Sequence, residues 1–136
     1  MRIKEFDYDY EPLYHATLRV FEKSIMTQGL KPGSEHRLFD WCNSGYVYLS
    51  NYSDVAESFI DPGVIEPSEA QEEKILKLMK YGGVVFTIDQ NKLDRTKLQM
   101  DPHYIADEDE GAYTYIYAGV ISPAAIINKK YFRIDI

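Results

Sequence analysis

The chain holds a single cysteine, Cys42. No disulfide can form within it, which fits a reducing compartment. No apolar run approaches the ~20 residues that a membrane-spanning helix needs. The opening Met1-Arg2-Ile3-Lys4-Glu5 has no apolar centre of the kind a secretion signal carries. These absences set the expectation of a soluble, cytoplasmic protein with no membrane partner. Positive charge is also scarce, with 15 Lys and Arg against 22 Asp and Glu and a net charge of −7. Phosphate backbones favour basic surfaces, so bulk nucleic acid is a disfavoured partner. The basic side chains are scattered, with Lys74, Lys77 and Lys80 on one predicted helix and Lys129-Lys130 near the C-terminus.

Familiar cofactor and metal signatures are missing as well. There is no phosphate-binding GxxxxGK[ST] loop and no GxGxxG after a strand. No HExxH, CxxC or calcium-loop pattern occurs, so no metal is expected. The acidic run Asp107-Glu108-Asp109-Glu110 lacks the glycine and the spaced ligands of a calcium loop and reads as a solvated segment. Cys42, with His36 in sequence reach and Trp41 beside it, reads as a packed thiol, because cysteine is among the most buried residue types.

What is present is a chain of 136 residues, the size of one domain, covering residues 1–136. Hydrophobic residues make up 45% of it, enough for a core, and charged residues 27%, well short of disorder. Tyrosine is abundant at 12 residues. Tyrosine suits strands and offers an aromatic face with a polar tip, so a tyrosine-rich sheet is expected, with a few of these rings available to line a ligand cleft.

The pattern predicts a short strand over 11–17 and a helix over 18–28, with Leu18, Phe21 and Ile25 on one face and Gly29 ending it. A second strand spans 45–50. Ser53 caps a helix over 54–60 that carries Val55, Ala56 and Phe59. Ser68-Glu69-Ala70-Gln71 opens a helix to Tyr81 with an apolar stripe of Ile75, Leu76 and Met79. Strands follow at 84–88, 113–118 and 131–136, separated by a polar, turn-rich stretch over 89–111 and a turn at 122–126. Helices come early and strands late without regular alternation, so the fold class is α+β rather than a doubly wound sheet.

Two strand segments carry the chemical signal, Leu13-Tyr14-His15-Ala16-Thr17 and Gly45-Tyr46-Val47-Tyr48-Leu49-Ser50. A strand histidine can hydrogen-bond a ribose hydroxyl, and aromatic rings can hold a flat heterocycle. Taken in order, these segments resemble motifs of the ADP-ribosyltransferase superfold, which includes the diphtheria-toxin-like transferases, the poly(ADP-ribose) polymerases and the RNA 2′-phosphotransferases. The first resembles that family's apolar-x-His-Gly-Thr/Ser strand. Ile25-Met26-Thr27-Gln28-Gly29-Leu30 resembles the helix and Gly-Leu turn after it. Gly45 to Ser50 resembles the Gly-x-Tyr-Phe/Leu-Ala/Ser strand, and Tyr115-Ile116-Tyr117 with Gly119-Val120-Ile121-Ser122-Pro123 resembles the last motif. The resemblance spans residues 11–126. It implies split antiparallel β-sheets with a few short helices, and NAD as the substrate.

By the resemblance, His15 holds the nicotinamide ribose, Ala16 and Thr17 sit near the nicotinamide amide, and Tyr48 and Phe59 stack on its ring, with Ser50 closing the strand motif. Ala16 stands where the family has glycine. The family's carboxylate begins the strand at Thr114, and here the nearest upstream acid in that stretch is Glu110, four residues earlier. Either the acidic loop brings Glu110 to the site or the site lacks that carboxylate. The resemblance thus implies transfer of ADP-ribose from NAD to a macromolecular acceptor, with the charge balance favouring a protein acceptor. The alternatives are a catalytically reduced member that binds NAD or ADP-ribose, and a non-enzymatic interaction protein. A 2′-phosphotransferase activity ranks below these, because it relies on several arginines and the motifs contain none.

Overall fold

A computed structural model describes residues 10–32, 45–58, 72–101 and 111–133. Six strands form one sheet: β1 (Leu13–Leu18), β2 (Val47–Ser50), β3 (Gly83–Ile88), β4 (Leu98–Met100), β5 (Thr114–Tyr117) and β6 (Ile126–Phe132). Their order across the sheet is β4-β5-β2-β1-β3-β6, and every paired neighbour is antiparallel. Three short helices accompany it: α1 (Glu22–Gln28), α2 (Ser53–Ser58) and α3 (Glu72–Tyr81). The class is therefore α+β, as composition and pattern predict.

The sheet is not uniform. β1 pairs with β3 at six positions, from Leu13↔Ile88 to Leu18↔Gly83, but with β2 at one, Tyr14↔Ser50. β2 in turn pairs with β5 at four positions. Two well-laddered halves, β4-β5-β2 and β1-β3-β6, are thus joined through a narrow seam between β1 and β2. In place of the separate sheets expected from the resemblance there is one hydrogen-bonded sheet with a weak line down its middle.

Both faces of the sheet are covered, which explains the composition of β3. Val84, Phe86 and Ile88 join Leu13, Val47, Leu49 and Tyr117 on one face, under Ile25 of α1 and Leu30, Ile121 and Ala125. Val85 joins Ala16 and Leu18 on the other, under Ala56 of α2 and Leu78 of α3. A strand buried on both sides has no polar face to show, so Val84-Val85-Phe86 reads as an unbroken apolar run. Gly29 ends α1 with φ 87° because the next residue, Leu30, turns to bridge Ile121 in both directions, at 2.9 and 2.8 Å. A Cβ at Gly29 would meet the Ile121 carbonyl.

Four element predictions need correction. The segment 18–28 is not one helix: Leu18 ends β1 as a buried residue, and a 3₁₀ turn over Arg19–Phe21 precedes α1. β4 lies inside the stretch 89–111 expected to be turn, where three partly exposed residues form a strand only because β5 pairs with them. The last strand starts at Ile126 rather than 131, because β3 provides its ladder from Ile88 back to Gly83. On α3 the buried residue is Leu78, while Leu76 is 65% exposed. Leu76 therefore departs from the predicted stripe and Leu78 joins the buried side, and the side chains of Ile75 and Met79 lie outside the described residues.

On the outer side of β6, Lys129 approaches the Glu22 carboxylate at 2.5 Å and the Tyr131 hydroxyl donates to it at 2.7 Å. The Arg19 guanidinium lies 3.9 Å from the centre of the Tyr131 ring. The Lys129 hydrogen bond, opposed by burial and helped by Tyr131, holds the Glu22 carboxyl below its ordinary value of 4.5. A carboxyl with a depressed folded-state pKa adds stability above its ordinary value and loses it as pH falls through the folded value. Wild type is therefore expected to melt above Glu22→Gln at neutral pH. Paired melting curves taken down through 4.5 and lower should converge.

Candidate functional site

The seam between β1 and β2 is where the two sequence motifs meet. His15 follows Tyr14, the one β1 residue in register with β2. Its Nδ1 lies 2.8 Å from the Tyr48 carbonyl oxygen. A carbonyl oxygen only accepts, so Nδ1 carries the proton, and in the neutral ring Nε2 is the accepting nitrogen. The imidazole thus takes a position that a backbone ladder bond would hold in a fully paired sheet, and it is oriented by the chain it spans.

The register also decides how the two motif side chains are disposed. Successive residues of a strand face opposite sides. Counted from Tyr14↔Ser50, Tyr48 falls on the side of Tyr14 and Ser50, and His15 on the side of Leu13 and Thr17. The two side chains therefore start from opposite faces. The expectation that both line one cleft is therefore not met by this register. The reason is the period-two pleat, which separates an odd position from an even one across an antiparallel pair.

Exposure sorts the remaining candidates. His15 and Tyr48 are half-buried. Ala16, Thr17, Ser50 and Thr114 are buried, at 8%, 2%, 0% and 0% exposure. Ser50 has structural work for its hydroxyl, which donates to the Tyr113 carbonyl at 3.2 Å and accepts from the Tyr52 N–H at 3.2 Å. That turn leads the chain from β2 into α2. Phe59 and Glu110 lie outside the described residues, as do His36, Trp41, Cys42 and the acidic run 107–110.

Two residues that the motif reading passed over help build this region. Asn51 extends the β2–β5 pairing with its side chain: its Nδ2 donates to the Gly111 carbonyl at 2.7 Å, and its Oδ1 accepts from the Tyr113 N–H at 2.8 Å. Asp101 continues the β4–β5 ladder, its N–H donating to the Thr114 carbonyl at 2.9 Å, and it is 6% exposed. Position gave Asn51 a weak signal, since it directly follows the motif serine. Asp101 gave none, because the acid before Pro102 reads as a turn residue.

The turn after β3 braces the segment that leads into β1. The Arg95 guanidinium stacks 3.9 Å from the Tyr10 ring centre and donates to Gln90 Oε1, while Gln90 Nε2 donates to the Glu11 carbonyl at 2.9 Å. Burial, with Glu11 nearby, pushes the Tyr115 phenol above its ordinary value, which keeps that ring neutral in the core. Among the described residues, no three His, Cys, Asp or Glu side chains gather as metal ligands, and no helix is long and apolar enough to cross a membrane. No protein-family model and no curated protein matches this chain.

Proposed function

We propose that this domain binds NAD at the seam between β1 and β2 and transfers its ADP-ribose to a macromolecular acceptor, in the manner of the ADP-ribosyltransferases its motifs resemble. The observation that carries the reading is the bond from His15 Nδ1 to the Tyr48 carbonyl. It joins the two motif segments and orients the ring that the resemblance assigns to the ribose. The third motif segment supports the same reading, because β5 lies directly beside β2 and the three motifs occupy consecutive strands β5-β2-β1. Tyr48 would meet the nicotinamide from the β2 side. The net charge of −7 favours a protein as the acceptor.

A second reading rests on Thr114. It is fully buried at the start of β5, where the family resemblance leads one to expect a carboxylate. A domain that holds NAD without cleaving it would look the same at this position. Titration of NAD into the wild-type protein by calorimetry, with nicotinamide release followed by chromatography, separates the two. Heat with release is expected. Heat without release would favour the binding-only reading, and no heat would overturn both.

A further inference from the structure

β6 closes one side of the sheet, and among the described residues no strand pairs with its outer edge. The strand is seven residues long, and Ile127 to Tyr131 are all exposed. Its ladder with β3 is regular from Asn128 to Phe132, with Ile127 as the extra residue of a bulge. A strand at the edge of a sheet turns alternate N–H and C=O groups outward, where an extended chain can add to the ladder. The opposite edge, β4, is only three residues long.

Charge decides what can add. Lys129 is in register with Phe86 and shares its face under α1, while Lys130 is in register with Val85 and lies on the other face. Lysines therefore flank the edge on both faces. Arg19 stacks on the Tyr131 ring, and Arg133, the residue after the strand, donates to the Lys80 carbonyl at 3.1 Å. Among the described residues, the carboxylates that contact β6 are Glu22, beside Lys129, and Glu57, 3.6 Å from Lys130. Both lysine side chains stay open to solvent beside these acids, at 41% and 63% exposure. A chain with a net charge of −7 thus gathers basic groups along one edge. A second copy does not suit that edge. Centring two β6 strands on each other sets lysine against or diagonal to lysine, and like charges across a ladder repel.

We propose that β6 docks an acidic, extended segment of a partner protein as a further antiparallel strand. Cross-strand pairing defines the segment. Opposite Tyr131, Lys130, Lys129 and Asn128, the partner reads apolar-acid-acid-polar in its own direction. The two adjacent acids fall on opposite faces, each against one lysine. The backbone ladder supplies affinity, and the alternating side chains supply selectivity. The proposal does not rest on the NAD reading, because β3 separates β6 from β1 and the seam.

Fluorescence anisotropy with a labelled peptide of about ten residues, carrying Val-Glu-Glu-Thr at its centre, tests the docking. Saturable binding is expected at low salt, and a Gln-Gln peptide is expected to bind at least ~10-fold more weakly. Lys130→Glu changes an exposed side chain outside the core. It is expected to weaken the Glu-Glu peptide at least ~10-fold and to gain binding to a Lys-Lys peptide. Two further peptides carry N-methyl groups on alternate backbone nitrogens, one in each phase, and at least one of them is expected to lose binding. The proposal is overturned by no saturable binding up to about 1 mM, or by equal affinity for the Glu-Glu and Gln-Gln peptides. It is overturned equally by a Lys130→Glu protein that binds as wild type does. Binding retained by both methylated peptides would mean attraction to surface charge without strand addition, and would overturn it too. A single-stranded oligonucleotide that binds more tightly than the peptide would assign the edge to nucleic acid instead.

Discussion

His15→Asn is expected to leave the protein folded and to weaken NAD binding by at least ~10-fold, whereas His15→Ala is expected to lose both stability and binding. The two substitutions separate the two ends of the imidazole. An asparagine amide can place an N–H near where Nδ1 lies and so keep the donation to the Tyr48 carbonyl, now 2.8 Å away. It has nothing at the position of Nε2. A ligand hydroxyl left without its acceptor in a half-buried site costs about 1–3 kcal/mol, or ~5- to 150-fold in affinity. Alanine removes both ends, leaves the Tyr48 carbonyl without this partner at the thinnest part of the sheet, and should cost about 1–3 kcal/mol in folding as well. Calorimetry with NAD and thermal melts of the three proteins read both effects. If His15→Asn binds NAD as wild type does, Nε2 is not a ligand contact, and the seam bond is purely structural.

Phe86→Ala is expected to be the most damaging single substitution in the described core, at about 3–5 kcal/mol. Phe86 is fully buried on β3, between β1 and β6, opposite His15 on one side and Lys129 on the other. It packs among Leu13, Val84, Ile88, Leu49 and Ile25 beneath α1. The ring is bounded by the apolar side chains of this cluster, so the space it leaves would collapse only in part. Total stability for a domain of this size is of order 5–15 kcal/mol, so this one change removes a large share of it. The melting temperature should drop by roughly 10–20 °C, at about 3–5 °C per kcal/mol. Because Phe86 neighbours His15 in register, the loss should also loosen the seam. A drop under about 3 °C would mean that the core is far more plastic than its packing indicates.

Much of this was readable in the chain. Val84-Val85-Phe86 announced a strand, and it is the inner strand of the β1-β3-β6 half. Gly29 after Ile25 announced the end of α1, and the structure puts a positive φ there. The strand expected over 113–118 is β5, which runs Thr114–Tyr117. The misses share one cause. β4 and the first half of β6 are too short, too exposed or too polar to be strands by themselves, and they become strands because β5 and β3 offer a ladder. Leu76 and Leu78 could not be told apart by apolar character, since only the docking of α3 decides which of them is buried.

The single cysteine, the shortage of positive charge, the α+β class and the two motif segments are properties of the sequence alone, because each depends on residue type or on neighbours a few positions away. Their arrangement is a tertiary matter. That His15 bonds the backbone of a residue 33 positions later, that Tyr14↔Ser50 is the one β1–β2 register pair among the described residues, and that the Asp101 N–H meets the Thr114 carbonyl all depend on which strands pair and in which register. Register is set by the burial of both sheet faces together, and no local stretch of chain contains that information.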